Sequence, residues 1–180
     1  MTALTPPSIP APQTHLTPSA FIAKHAQLIA SRITGPIADV ACGSGRNLLP
    51  FLHSGQRIDC YDICPDCIDP YIVQACGQHL RWYETNLLNA NFSLPPAEYS
   101  LVFLVHFYNA RVVSQIVQTI KPGGLLVLET IDDRRSNYIE LPQAGEIFQL
   151  ITPLRILSCV AKPAGPRSDR QVIKLLAQRP

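Results

Sequence analysis

The chain has 180 residues, 47% of them hydrophobic and 16% charged, and a formal net charge of +2 at pH 7. This composition suits one packed domain rather than a disordered chain, and so small a charge excludes a general binder of polyanions. No apolar run approaches the roughly 20 residues of a membrane-spanning helix; the longest, Tyr99 to Tyr108, is interrupted by His106 and has the length of a strand.

Five of the 17 prolines fall within the first 18 residues. Residues 1–16 are therefore expected to form an extended, weakly ordered arm, with neither the basic start nor the apolar stretch of a signal peptide. Residues 17–180 are expected to form a single domain. Thr17-Pro18 predicts a helix start, with Thr17 as N-cap and Pro18 at the first helical position. Phe21, Ile22, His25, Leu28, Ile29 and Ile33 follow at helical spacing and mark one buried face. After Gly35-Pro36 a short apolar run, Ile37 to Cys42, reads as a strand that ends in a glycine loop. Asn47 to His53 reads as helix, Arg57 to Asp62 as a strand, Asp66 to Cys76 as helix and Leu80 to Glu84 as a strand. Tyr99 to Val105 has the strongest strand composition in the chain. Ala110 to Ile120 reads as helix, Lys121-Pro122-Gly123-Gly124 as a turn and Leu125 to Ile131 as a buried strand. Ala144 to Thr152 follows as helix. Leu154 to Ala161 and Gln171 to Ala177 read as strands, joined by a segment too short for a crossover, so they are expected to pair antiparallel. Strands alternating with helices predict an α/β fold whose parallel sheet is covered on both faces.

The first strand and its loop read Asp39-Val40-Ala41-Cys42-Gly43-Ser44-Gly45-Arg46-Asn47. Glycines at a strand end let the backbone turn sharply and pass close to a ligand, and the helix that follows would offer its N-terminal N–H groups. Gly43, Gly45 and Leu48 occupy the places of a GxGxxG dinucleotide fingerprint, so the third glycine is missing, and no phosphate-loop lysine is present. The second strand ends at Asp62, 17 positions beyond Gly45. An acid there accepts hydrogen bonds from ribose hydroxyls. The chain thus has a loop for one end of a nucleoside-type cofactor and an acid for its sugar.

These residues resemble motif I of the class I S-adenosylmethionine-dependent methyltransferases, and within them the small branch that includes tellurite-resistance-type methyltransferases. The likeness runs from Pro18 onward. Pro18-Ser19-Ala20-Phe21 to His25-Ala26 resembles the first helix of that branch. Tyr99 to Tyr108 and Lys121 to Thr130 resemble its fourth and fifth strands. Ser136-Asn137-Tyr138, Leu141 and Gly145-Glu146-Ile147 resemble a segment bordering the acceptor site. The first motif glycine is replaced by Ala41, and Asn86 stands where the branch usually has Asp. After the fourth strand a His-Arg-Pro stretch is replaced by Tyr108-Asn109-Ala110-Arg111-Val112.

The resemblance implies a Rossmann-like seven-stranded methyltransferase sheet, mostly parallel with an antiparallel C-terminal strand and helices on both faces. It implies S-adenosyl-L-methionine as cofactor, S-adenosyl-L-homocysteine as product, and these roles. Ala41, Cys42, Gly43, Gly45 and Asn47 form the loop under the methionine part, which Asp39 helps to orient. Asp62 takes the ribose hydroxyls and Ile63 packs on adenine. Asn86 and Leu87 face the other adenine edge. Val105 and His106 sit near the reactive methyl.

The cofactor carries the activated methyl, so the protein's task is to position a nucleophile in line. His106, with an unperturbed pKa of ~6.5, is the candidate base, and a half-buried core histidine is the alternative. Tyr108 is expected as an aromatic wall or catalyst. Arg111, Glu129 and Tyr138 are expected near the acceptor, although Arg111 also reads as a helix-surface residue and Glu129 as its ion-pair partner. The short segment between Asn86 and Tyr99 leaves no room for an added substrate domain, which favours a small-molecule acceptor such as a thiol, metalloid oxyanion or metabolite. RNA or protein methylation and S-adenosylmethionine binding without catalysis are the alternatives, and an NAD-dependent oxidoreductase is disfavoured by the missing glycine. The six cysteines read as reduced thiols of a cytoplasmic protein, and Cys64-Pro65-Asp66-Cys67 has no second pair with which to hold a metal. The last thirty residues hold six Lys/Arg and one acid, which read as a solvated strand edge rather than an RNA surface. No membrane or nucleic-acid partner is expected, and the protein is expected to be a monomer or homodimer.

Overall fold

A near-continuous apolar strand belongs in a sheet covered on both faces. Tyr99–Val105 is such a strand and is buried at every position. A computed structural model describes residues 16–130, 142–163 and 171–180 and places this strand at the centre of a seven-stranded sheet. In chain order the strands are β1 (Ile37–Val40), β2 (Ile58–Asp62), β3 (Leu80–Glu84), β4 (Tyr99–Val105), β5 (Ile120–Glu129), β6 (Arg155–Pro163) and β7 (Gln171–Gln178). Their spatial order is β3-β2-β1-β4-β5-β7-β6. The pairs among β1 to β5 are parallel, and β7 runs antiparallel to both β5 and β6. This is the expected mostly parallel sheet with an antiparallel C-terminal strand.

Alternation along the strands divides the core into two layers. Ile37, Ile58, Leu101 and Phe103 face Phe21, Ile22 and Ile29 of α1 (Ala20–Ala30) and Ile72 of α2 (Pro70–Cys76). Ala38, Val40, Val102 and Leu104 face Val112 and Ile116 of α3 (Ala110–Thr119) and Ile147 of α4 (Glu146–Leu150). Each large apolar side chain fully buried in these layers contributes about 1.5–3 kcal/mol. Among the described residues no helix is long and apolar enough to cross a membrane.

Four local expectations are corrected. First, α1 begins at Ala20 rather than after Thr17, because Ser19 is the cap: its Oγ accepts the Ile22 N–H at 3.3 Å. Second, Asn47 to His53 is not an α-helix. Arg46–Phe51 is a 3-10 turn with Pro50 inside it; proline has no N–H to give and disfavours α geometry at the residue before it. The sheet therefore lacks the helix N-terminus expected behind the glycine loop. Third, the predicted helix over Asp66 to Cys76 splits into a 3-10 turn at Pro65–Cys67 and α2, whose N-cap Asp69 accepts the Tyr71 N–H at 2.8 Å. Fourth, Lys121 to Gly124 is a bulge inside β5, not a turn before it. Tyr99 pairs with Ile120 but Leu101 pairs with Leu125. Two 2.9 Å hydrogen bonds, Gly123 N–H to the Arg179 carbonyl and Arg179 N–H to the Gly124 carbonyl, tie the bulge to the C-terminal segment. Residues 1–15 of the predicted arm and residues 131–141 before α4 lie outside the described residues, while Leu16, predicted as the end of the arm, is buried.

Candidate functional site

In an open α/β sheet, a crevice forms beyond the C-terminal strand ends where the strand order reverses. Here that point lies between β1 and β4, the strands from which the sheet grows in opposite directions. A cleft of about 510 Å³ opens there. Its walls are the loop after β1 (Ala41 to Ser44, Arg46, Asn47), Asp62 and Ile63 after β2, Thr85 to Leu88 after β3, and Val105 to Phe107 at the end of β4.

The loop holds its shape through its backbone. Ala41 and Cys42 both donate N–H to the Tyr61 carbonyl, and the Gly45 N–H closes a turn onto the Cys42 carbonyl at 2.9 Å. Gly43 has φ +51°, and a Cβ there would meet nothing within 4 Å, so it leaves open space at the loop. Gly45 has φ +71°, and a Cβ there would stand 3.2 Å from Ile72 Cγ2. Both glycines are thus required by conformation, and Gly45 also by packing. Ala41 and His106, at the ends of two adjacent strands, have φ of 59° and 61°. Left-handed backbone is costly for residues with a Cβ, and it concentrates at functional sites. The His106 N–H is held by the Glu129 carbonyl at 2.8 Å.

Two carboxyls define the electrostatics. Asp62 is half-buried at the rim; one oxygen accepts the Gly43 N–H at 2.8 Å and the other the Cys64 N–H at 3.1 Å. Asp39 lies beneath the loop, 1% exposed, and its Oδ2 has no hydrogen-bond partner. Burial, reinforced by the charge of Asp62 and only partly offset by Arg46, pushes its pKa up to about 8. Asp59 on the neighbouring strand is equally buried but fully engaged: Arg57 stands 3.0 Å away and the Tyr99 hydroxyl donates at 2.8 Å. Buried polar atoms are normally satisfied in this way, so the unpartnered Asp39 Oδ2 is left open to water or a ligand group.

The structure brings together at the cleft most of the sequence-predicted cofactor residues: Ala41, Cys42, Gly43, Asn47, Asp62, Ile63, Asn86, Leu87 and Val105, with His106 beside them. Asp39 and Gly45 support the cleft from below without lining it. Sequence reasoning missed Ser44, Arg46, Thr85, Leu88 and Phe107. Each is a chain neighbour of a residue it named, so the signal was the loop and not the side chain. The Asn86 Oδ1 accepts the Leu88 N–H at 2.9 Å, which shapes the turn after β3.

The acceptor-side expectations fare differently. Arg111 holds the backbone of the segment after β3, donating to the carbonyls of Leu87 at 2.8 Å, Asn89 at 2.9 Å and Phe92 at 3.2 Å. It does not pair with Glu129. The Glu129 side chain is fully buried and engages Lys174 Nζ at 2.7 Å and the Ser19 hydroxyl. Ser19 in turn gives its N–H to Asn47 Oδ1 at 3.1 Å, so β5, β7, the cap of α1 and the cofactor loop share one network. Tyr108 is buried in the α3–α4 layer and does not line the cleft. Tyr138 lies outside the described residues.

The reading of all six cysteines as reduced thiols is corrected: Cys64 and Cys67 form a disulfide, while Cys42, Cys60, Cys76 and Cys159 are free. The hydrogen bond to Cys60, together with burial, holds the Cys42 thiol far above its ordinary pKa, so it packs as a neutral group. Among the described residues no group of His, Cys, Asp and Glu could hold a metal ion. Of the basic residues in the tail, Lys174 is paired as above, Arg179 donates to the Gln118 and Ile120 carbonyls, and Arg155 donates to Gln178 Oε1 at 2.9 Å.

No protein-family model and no curated protein matches the chain. Solved structures do. The TehB-like S-adenosylmethionine-dependent methyltransferase of Corynebacterium glutamicum is similar with a TM-score of 0.58 at 16% identity, over 87% of each chain. The N-methyltransferase NodS of Bradyrhizobium japonicum, solved with S-adenosylhomocysteine, gives a TM-score of 0.57 at 17% identity, over 88% of this chain and 85% of that one. The fold is that of the class I S-adenosylmethionine-dependent methyltransferases. The [4+2]-cyclase SpnF also shares this fold, with a TM-score of 0.54 at 14% identity over 87% of this chain and 80% of that one. A methyltransferase fold therefore does not by itself fix the reaction; the residues of the cleft do.

Proposed function

We propose that this protein is an S-adenosylmethionine-dependent methyltransferase that acts on a small acceptor. The observation that carries this reading is the carboxyl pair at the glycine loop. Asp62 is half-buried at the rim, and Asp39 is buried beneath with an oxygen that no protein group satisfies. An open glycine backbone beside the Asp62 carboxylate suits the ribose of a nucleoside, and the buried Asp39 carboxyl adds negative charge beneath the loop as pH rises through about 8. When bound, S-adenosylmethionine supplies a methyl group already activated on a sulfonium.

The chain's own residues then divide the work. Asp62, preset by its two backbone N–H donors, keeps acceptor capacity for the ribose hydroxyls. Ile63, 63% exposed, offers an apolar face to the adenine, with Leu87 and Leu88 across the cleft. Among the described lining residues the ionisable side chains are Cys42, Arg46, Asp62 and His106. With Cys42 held neutral, His106 is the group able to take a proton from a protonated acceptor. A thiolate or oxyanion acceptor would need only positioning. Tyr138 remains a proposed acceptor-side residue, whereas the engaged side chains of Arg111 and Glu129 support structural roles. Residues 17–180 act as one domain in this reading.

Incubation with methyl-labelled S-adenosylmethionine and separate pools of small thiols, metalloid oxyanions, RNA and protein tests the proposal. Label transfer and S-adenosylhomocysteine formation with a small-molecule pool are expected. Transfer only to a macromolecule would refute the acceptor class. A second reading, S-adenosylmethionine binding without methyl transfer, predicts binding with no S-adenosylhomocysteine from any pool; the cyclase with the same fold shows that this architecture also serves other reactions.

A further inference from the structure

The disulfide lies in the segment that shapes the adenosine end of the cleft. Cys64 follows Asp62 by two residues, and its N–H is one of the two donors that fix the Asp62 carboxylate. Ile63, between them, lines the cleft. The segment is anchored to the glycine loop at both ends: Gly43 N–H donates to Asp62 Oδ2 at 2.8 Å, and Asp69 N–H donates to the Ser44 carbonyl at 3.1 Å. Between these anchors Ile68 comes within van der Waals reach of the Gly45 position. The Cys64–Cys67 bond closes the 3-10 turn at the middle of this span. Cys67 is exposed and Cys64 half-buried, so the bond is open to a reductant in solution.

We propose that Cys64–Cys67 is a thiol–disulfide modification site that sets the affinity of the cofactor cleft, tight when oxidised and weak when reduced. This rests on the reading that Asp62 and Ile63 hold the adenosine of S-adenosylmethionine. The modifying class is a dithiol. Its thiolate attacks one cysteine sulfur to give a mixed disulfide, and its second thiol displaces that cysteine. The Cys64–Cys67 bond breaks, the dithiol closes to its own disulfide, and two electrons and two protons pass to the cysteines. The reduced segment gains conformations in which Cys64 N–H no longer fixes Asp62 and Ile63 no longer faces the cleft. Binding then has to select the competent arrangement. The chain entropy of a four-residue ring caps the effect at about twentyfold, and a three- to tenfold rise in Kd is expected, roughly.

The test uses the full chain, oxidised with glutathione disulfide or reduced with dithiothreitol, and S-adenosylhomocysteine as the titrated probe. A thiol titration of the unfolded protein is expected to count four thiols before reduction and six after, since four of the six cysteines are free. The affinity is expected to fall on reduction and recover on reoxidation. The C64S/C67S variant is expected to bind weakly and to ignore dithiothreitol. Amide exchange at Gly43 and Cys64 is expected to accelerate on reduction of the ligand-free wild type, which reads the loop without relying on the variant. Six thiols in the oxidised protein, or one Kd in both states, would overturn the proposal alone. No binding in either state would overturn the cofactor reading and this proposal with it.

Discussion

Asp39→Asn isolates the strain placed on the buried carboxyl. The substitution keeps shape and removes charge. In the native chain the Asp39 pKa is pushed up to about 8 from the ordinary 3.8, first by burial and then by Asp62. Between those values the folded state holds a proton that the unfolded state has released. A folded-state pKa that is raised stabilises the fold at low pH, and the contribution is lost as pH rises through the folded pKa. With about 1.4 kcal/mol per pH unit below that pKa, Asp39 accounts for a loss of roughly 2 kcal/mol between pH 6 and pH 8. Urea denaturation of wild type and variant at pH 6, 7 and 8 measures it. Wild type is expected to lose about 2 kcal/mol more than Asp39→Asn across that range. Any fixed cost of burying the new amide shifts the variant's curve without changing its slope. Parallel curves would refute the reasoning. Above about pH 8, where Asp39 is ionised, the same variant is expected to bind the cationic S-adenosylmethionine more weakly than wild type.

Arg111→Ala is expected to lower stability by about 1–3 kcal/mol in thermal or urea denaturation, since three carbonyls lose their donor. Unchanged stability with lost turnover would return Arg111 to the acceptor site. Ala41→Gly relieves a left-handed residue at φ 59°. Set against the greater unfolded-state freedom of glycine, a net gain of about 0.5–1 kcal/mol is expected by urea denaturation. Gly45→Ala is expected to go the other way by more than about 1 kcal/mol, through backbone strain and the Ile72 contact. Glu129→Gln is expected to cost about 1–3 kcal/mol, because the buried acceptor for Lys174 and Ser19 loses its charge. A variant as stable as wild type would contradict the network.

The strands β3 and β4 have the bounds read from their composition, because each is a β-rich run set off by polar or proline-containing flanks. The element starts that were misplaced depend on single side-chain choices. Ser19 rather than Thr17 reaches the helix N–H, and Pro50 denies an α-helix to a sequence with helical spacing. The cleft was legible because it follows from where strands end: the residues after β1, β2, β3 and β4 converge whatever their rotamers. The acceptor side was not, because it depends on partners far along the chain. Glu129 meets Lys174 and a serine 110 positions earlier, and Arg111 turns to carbonyls rather than to an acid. The disulfide was missed for a related reason. A CxxC spacing is compatible with thiols, metal or a bond, and the 3-10 turn that brings the two sulfurs together follows from local backbone geometry.

Calorimetric titration with S-adenosylmethionine, S-adenosylhomocysteine and NAD, for wild type and Asp62→Ala, tests the central claim most directly. The account predicts that the two sulfur nucleosides bind, that NAD does not, and that Asp62→Ala loses at least about tenfold in affinity, the worth of one hydrogen bond to a charged group. Binding of NAD in preference, or an affinity indifferent to Asp62, would contradict it.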